Sequence, residues 1–520
     1  MSASRTIICL LRNDLRLHDN EVFHFAMKHS DHMVPLYCFD PRHYVGTHNF
    51  KLPKTGPFRL RFLLESIQDL RKTLVNKGSN LVVRRGKPEE VVSELIQQLG
   101  SVSAVVFQQE VTSEELAVER GVKEVCAGMK VKVHTCWGST LYHLDDLPFP
   151  HISRLPDVYT QFRKEVESRS QVRPEFPTPD RLKPLPQGLQ EGLIPSMADL
   201  QQTEPAAQDP RSAFPCAGGE SQAALRLQHY FWDTDAVASY KETRNGLLGA
   251  DYSTKFAPWL AMGCLSARYI YHQVRRYERE RTANQSTYWV VFELLWRDYF
   301  KFVALKYGNR LFQVRGLQDK SVPWKQDMDL FSAWKEGRTG VPFVDANMRE
   351  LAATGFMSNR GRQNVASFLT KDLGLDWRMG AEFFEYLLVD HDVCSNYGNW
   401  LYSAGVGNDP RENRKFNMIK QGLDYDPNGD YVRLWVPELR KIPGADVHTP
   451  WTLSTAALAC ADVSLGRTYP SPVAVAPEWS RHANKRAGGG AARGGKGPSH
   501  TPRQHRDRGV DFYFSRSKNL

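Results

Sequence analysis

The chain has 520 residues, enough for two or three domains that each bury a core. Aromatic content of 11%, 12 tryptophans and 24% charged residues of both signs exclude a wholly disordered chain. The net charge of +10 is concentrated at one end: residues 481–520 hold ten Lys or Arg against two Asp (+8), which leaves the rest near +2 and confines any nucleic-acid surface there to a local patch. No run of 18 apolar residues occurs, so no membrane span is expected. Strand-like residues begin at Thr6, leaving no room for a signal or transit peptide. The eight cysteines form no CxxC pair and mostly sit in apolar runs, which points to buried free thiols in a reducing compartment, cytoplasm or nucleus, with neither zinc nor disulfides.

From Thr6 to about His143, strand-like runs alternate with helical ones. TIICLL, VPLYCFD, LVVRRG, AVVFQQE and KVHTCW read as strands; FRLRFLLESIQDLRKTL, KPEEVVSELIQQL and SEELAVERGVKEVC have helical spacing. The alternation predicts a doubly wound parallel-sheet α/β domain over residues 5–145, with its ligand at the carboxyl ends of the strands. The turn after the first strand reads LRNDLRLHDN; without GxGxxG it argues against a dinucleotide held in the Rossmann manner.

Residues 146–219 are expected to be a linker, because nine prolines between Ser170 and Gly219 interrupt any periodicity; an extended, partly mobile path over the surface follows. An all-α domain is predicted over residues 220–480. In DYSTKFAPWLAMGCLSARYIYHQVRRY, Ser253, Thr254 and Lys255 precede an apolar helix, a place where donors and a helix N-terminus can hold phosphate oxygens; an ordinary capped helix fits the same residues. STYWVVFELLWRDYFKFVALKYG puts Glu293 and Trp296 on one face with Arg297 beside them, and a plain amphipathic helix is again the alternative. The rest is organised around Thr354 to Ser403. Val365, Phe368, Leu369 and Leu373, then Phe383, Phe384, Leu387 and Leu388, predict two core helices. Asn359, Arg360, Arg362 and Gln363 open the first; Asp390, His391, Asp392 and Asn396 follow the second. Charges so placed need partners or a ligand, and Arg362 with Asp390 can form a fork-to-carboxylate pair.

NRGRQNVASFLTKDLGLDWRMGAEFFE followed by DHDVCSNYGNW resembles the flavin-cradling segment of the photolyase and cryptochrome family, and NRGRQ with SNYGNW resembles its DASH branch; the likeness runs from Arg5 to Trp479. The resemblance implies FAD in the helical domain, with Ser253, Thr254 and Lys255 toward the pyrophosphate and Tyr240 and Phe256 also against the cofactor. Arg362 and Asp390 would pair beside the isoalloxazine, Arg297, Asp392 and Asn359 would add polar contacts, and the neutral amide of Asn396 would face flavin N5. Trp400, Trp377 and Trp324 coincide with the family's electron relay, in that order from ring to surface, although from sequence alone they fit core packing equally well. Glu293 would also reach the substrate base, where a carboxylate can stabilise developing charge; Trp296 would stack on the substrate, with Arg244 and Gln363 on the same side. Glu110 in QQEVTSEE is similar to the acidic residue that holds the antenna, 5,10-methenyltetrahydrofolate, in DASH proteins; a strand end or helix cap is the alternative.

Two substrate-side positions depart from photolyases of duplex DNA: Gln363 stands where those usually have Met, and Tyr402 where they have Trp. A lost indole removes stacking worth about 1–3 kcal/mol per base, and flipping a dimer from a duplex adds a cost that a single strand does not impose. The expected function is therefore light-driven repair of cyclobutane pyrimidine dimers in single-stranded or looped DNA by a monomer, a carbon-carbon lyase; a photoreceptor signalling through flavin photoreduction is the alternative. No metal site is expected. DYDPNGDYVRLW has Trp435 where a calcium loop needs Glu, and GAARGGKG lacks the P-loop Ser or Thr. Residues 481–520, Gly-rich and basic, read as a disordered tail able to touch phosphates or serve as an import signal.

Overall fold

A parallel sheet of five strands opens the computed structural model, which describes residues 5–205, 208–409 and 415–479. β1 (Thr6–Leu11), β2 (His32–Phe39), β3 (Val82–Arg85), β4 (Val102–Gln108) and β5 (Lys132–Cys136) lie in the order β3-β2-β1-β4-β5. All neighbours are parallel, and Ile8 pairs with Val34 on one side and Val105 on the other. Strands buried on both faces need helices over both, and α1 (Glu21–His29), α2 (Pro57–Asn76), α3 (Pro88–Leu99) and α4 (Ser113–Gly128) supply them. Ile8, Leu10, Val34 and Val105 pack there with Val91, Val92, Leu95 and Val122. The five strands and last three helices coincide with the expected runs. The first helix was missed, although Asn20 caps it by accepting from the Val22 N–H at 3.0 Å and Val22, Phe23 and Ala26 bury their side chains.

The expected linker needs two corrections. α5 (Tyr159–Arg169) lies inside it, because Tyr159, Phe162 and Val166 share a helical face that is buried. The proline-rich path that follows is extended but well tied: the carbonyls of Lys77, Pro184 and Glu191 join N–H groups of Leu182, Met33 and Val83 at 2.8, 3.1 and 2.7 Å, so the path covers the β3 edge.

The remainder is helical: α6 (Glu220–Gln228), α7 (Tyr240–Thr243), α8 (Ala257–Ala261), α9 (Ala267–Glu280), α10 (Gln285–Tyr307), α11 (Met328–Lys335), α12 (Pro342–Thr354), α13 (Asn359–Ser367), α14 (Trp377–Leu387), α15 (Val393–Ala404), α16 (Met418–Tyr425), α17 (Asp430–Trp435) and α18 (Thr455–Cys460). The central stretch thus folds as three helices, with Asp392 starting the third by accepting from the Ser395 N–H at 2.8 Å. The run after Lys255 is also split. Gly263, at φ 69°, leaves no room for a Cβ against the Asn13 carbonyl, and its own carbonyl accepts from Arg16 Nη1 at 2.9 Å. The glycine-poor turn after β1 is therefore a docking loop for the helices. Glu220 and Asp298 complete the joint, accepting N–H groups of Leu17 and His18 and of Leu141 and Tyr142. Sheet and helices form one compact unit, Met1–Trp479.

No helix among the described residues is long and apolar enough to cross a membrane. All eight cysteines are free; six are buried as expected of thiols in apolar runs, while Cys216 is half-buried and Cys460 is exposed on α18. The tail and the GAARGGKG run lie outside the described residues. Asp426 spends both carboxylate oxygens on the N–H groups of Tyr431 and Val432, which fits its exclusion as a calcium ligand.

Candidate flavin and substrate pocket

A cavity of about 340 Å³ opens among α7, α10, α13, α14 and α15. Of the expected site residues it gathers all but Glu110, Trp324, Trp377 and Tyr402. At one end lie Tyr240 and the 253–256 segment. Arg226, on α6, shapes that segment by donating to the carbonyls of Ala250, Ser253 and Thr254 at 2.8–3.0 Å, and is itself held by Asp251 at 2.6 Å. Its role had no signal in the sequence. The expected helix dipole is weak here, because α8 has five residues and only the first turn of a longer helix would carry the charge. Lys255 is buried, its ammonium without a hydrogen-bond partner among the described residues.

At the other wall the Arg362–Asp390 pair forms at 2.8 Å, Arg362 also donating to the Met357 carbonyl at 2.9 Å. Asp390 Oδ1 and His391 Nδ1 have no partner among the described residues. Burial pushes the Asp392 carboxyl up, but Arg297, the Ser395 N–H and Lys301 outweigh it and hold the group below the usual carboxylate range. Arg297 itself is largely spent on the carbonyls of Ser139 and Leu260, with Asp392 at 3.9 Å. Asn396 donates its amide N–H to the Ala381 carbonyl at 3.0 Å, so its oxygen is the end left for the cavity. Asn359 is exposed at the rim. The unspent Lys255 ammonium suits an anionic group at one end, and the unspent acceptors at the other wall suit the N–H edge of a ring. Tyr252, Ser358, His391 and Asn399 also line the wall and were not among the expected site residues.

Residues 289–488 match the family described as the FAD binding domain of DNA photolyase, and residues 7–180 match the DNA photolyase family. Cryptochrome DASH of Xenopus laevis is 72% identical over 99% of both chains, and that of Danio rerio is 72% identical over the full length of both. The chain belongs to the DASH branch of the photolyase and cryptochrome family. The crystal structure of a Synechocystis cryptochrome superposes with a TM-score of 0.88 at 48% identity, covering 93% of this chain and all of that one. Membership shows an FAD-binding flavoprotein fold.

Among the residues expected to meet substrate, Glu293 is held by Arg244 at 2.8 Å and by the Trp289 indole N–H at 3.2 Å. Arg360 donates to Gln363 Oε1 at 3.1 Å; since guanidinium only donates, the Gln363 N–H₂ is the end left for a ligand. Trp296 already has one face covered by Tyr159, at 3.6 Å and 11°. Tyr402 lies outside the wall, edge-on to Trp296 and Phe300 at 5.7 Å each.

The three tryptophans of the expected relay occupy different surroundings. Trp400 lines the cavity and rests on Gly380 of α14. Trp377, fully buried at the start of α14, donates to the Val314 carbonyl at 3.1 Å and meets Tyr397 edge-on at 6.2 Å. Trp324 is half-buried, and the adjoining Lys325 bonds the backbone of Gly374 and Asp376 just ahead of Trp377. Glu110, beyond the end of β4, is buried against Lys301 of α10 at 2.6 Å. Glu21, His134 and Cys136 bring ligand-type atoms within 4.8 Å of one another, a cluster the linear spacing hid; His134 is stacked on Phe25 at 4.0 Å and no fourth ligand joins it among the described residues.

Proposed function

We propose that this chain repairs cyclobutane pyrimidine dimers in single-stranded or looped DNA under blue light, with reduced FAD in the cavity and 5,10-methenyltetrahydrofolate near Glu110 as antenna. The observation that carries the reading is that flavin-side groups (Asn396, Trp400, the Arg362–Asp390 pair) and substrate-side groups (Glu293, Trp296, Gln363) line the same cavity. When bound, FAD supplies a light-driven electron to the dimer and takes it back after the ring carbons separate. The protein's part is positioning and electrostatics. Asn396 presents a neutral acceptor, Arg362 and Asp390 hold a fixed dipole beside it, and Glu293, kept in place by Arg244 and Trp289, faces developing charge on the base. Gln363 offers donors to a pyrimidine carbonyl.

The preference for single strands follows from the stacking surface. Trp296 has one face occupied and Tyr402 stands outside the wall, so little aromatic area offsets the cost of extruding a dimer from a duplex. At Glu110, a pterin would have to share or displace the Lys301 ammonium. Six buried free thiols fit a reducing compartment, cytoplasm or nucleus, and a monomer suffices because one chain supplies the whole cavity.

The test is illumination of the reduced protein with a dimer-containing oligonucleotide, single-stranded or as matched duplex, followed by recovery of base absorbance. Fast repair of the single strand and slow repair of the duplex is expected. Equal rates sink the substrate preference. No repair of either, with efficient flavin photoreduction through the tryptophans, favours the photoreceptor reading.

A further inference from the structure

Far from the cavity, α1 and β5 bring three metal-ligating side chains to one point. Residues two apart on a strand share a face, so His134 and Cys136 of the edge strand β5 lie side by side. Residues four apart on a helix also share a face, which puts Glu21 and Phe25 in one stripe of α1. The Phe25 ring lies flat on the His134 imidazole, at 4.0 Å and 8°; His29, one turn further on, stacks on Phe25 at 4.4 Å and its Nδ1 donates to the Phe25 carbonyl at 2.9 Å. This stack fixes the plane of the His134 ring. An imidazole nitrogen, the Cys136 sulphur and a Glu21 carboxylate oxygen then all lie within 4.8 Å of one another.

None of the three side chains has a hydrogen bond or an ion pair among the described residues. Arg173, a cation within electrostatic reach of Glu21, is already spent: its Nε and Nη2 donate to the two oxygens of Asp146 at 2.6 and 2.9 Å. A salt bridge or a closed polar network therefore does not account for the convergence. Cys136 is buried and Glu21 half-buried, so the point where they meet has a floor inside the domain and a mouth toward solvent.

We propose that Glu21, His134 and Cys136 form a binding site for a zinc-class divalent ion, with water as the fourth ligand. Ligand atoms around tetrahedral zinc stand roughly 3.3–3.8 Å apart, so closing the site takes about an ångström of side-chain movement. Thiolate, imidazole and carboxylate together suit zinc or cobalt(II); calcium and magnesium take oxygen ligands. On binding, the Cys136 S–H bond is replaced by a metal–sulphur bond, its proton leaves to solvent, the ion gives up waters, and no electron is transferred. The ion clips the start of α1 to the sheet edge, and because the two segments are far apart in sequence the clip closes a long loop. It also braces the joint with the helices: Asp19, two residues ahead of Glu21, accepts from Arg268 at 2.6 and 3.0 Å.

The test is a titration of the full-length protein, stripped with a chelator and kept reduced by a phosphine, with Co²⁺, followed as difference spectra against the metal-free form. A cobalt–thiolate bond gives a charge-transfer band that histidines and carboxylates elsewhere in the chain cannot produce. One equivalent of Co²⁺ should develop the band, Zn²⁺ should displace it, and the thermal midpoint should rise with Zn²⁺ concentration. Cys136→Ser should lose the band. Glu21→Gln and His134→Gln keep the thiol and should each weaken Co²⁺ binding by at least about tenfold, which keeps the test decisive if Cys136→Ser does not fold. Cys460→Ser removes the exposed thiol and should change neither band nor affinity. No band in wild type, a band that survives Cys136→Ser or vanishes with Cys460→Ser, or an affinity indifferent to both Glu21→Gln and His134→Gln overturns the proposal.

Discussion

Asn396 shows how one hydrogen bond sets a chemical polarity. With one amide N–H given to Ala381, the carbonyl oxygen is the acceptor end left for a ligand. Asn396→Asp replaces that donor by a second oxygen facing the Ala381 carbonyl and adds charge beside the cofactor. The midpoint potential of bound FAD should fall, read by spectroelectrochemistry; an unchanged potential takes Asn396 off the flavin face. Arg362 and Asp390 make a second residue-scale case. The Asp390 side chain is 4% exposed but that of Arg362 is 26%, so Arg362→Ala leaves a buried carboxylate with partial access to water. The loss in FAD-free protein should be about 3 kcal/mol, the lower end for breaking a buried pair, measured by urea unfolding.

α14 and α15 touch where Gly380 meets the Trp400 ring. A methyl group at 380 would collide with the rigid, buried indole of Trp400, so Gly380→Ala must push that ring toward the cavity or part the helices. It should cost about 1–3 kcal/mol and slow flavin photoreduction. A thermal midpoint and photoreduction rate both equal to wild type would remove the contact from the electron path. The start of α14 carries the complementary test. Trp377→Phe keeps an aromatic core residue but is much harder to oxidise, so photoreduction should drop by at least about tenfold, while repair by chemically pre-reduced protein persists. Loss of both activities together would instead mark Trp377 as a packing residue.

For the whole molecule, the sheet and the helices meet through charges placed in the joint. Glu385 of α14 is buried near Arg59 of α2 and accepts from the Tyr397 hydroxyl at 3.2 Å. Burial pushes its carboxyl up to about 7 against the pull of Arg59 and Lys54. Because the folded value lies above the ordinary 4.5, Glu385's contribution is complete below about 4.5 and is lost as pH rises through about 7. Glu385→Gln, which has no charge to bury, should gain on wild type by up to about 1.4 kcal/mol per pH unit across that interval. Thermal unfolding at mildly acidic and mildly alkaline pH compares the two, and a constant difference refutes the assignment.

Local order was legible wherever side chains repeat with a fixed period. The five strands and the helices over residues 57–76, 88–99 and 113–128 announced themselves because burial of one face demands apolar residues at regular steps. The long wording around NRGRQ and SNYGNW likewise points to a flavin pocket by resemblance alone. What stayed hidden depends on contacts between distant segments. Nothing near Gly263 in the chain foretells that Asn13 will dock there, and no spacing joins Arg226 to the 250–254 carbonyls. The amino-acid order determined which surfaces must be buried; which donor each acceptor receives, and which polar atoms are left for a ligand, only the packed chain decided, since hydrogen bonds and charge pairing act over a few ångströms in space irrespective of separation in sequence.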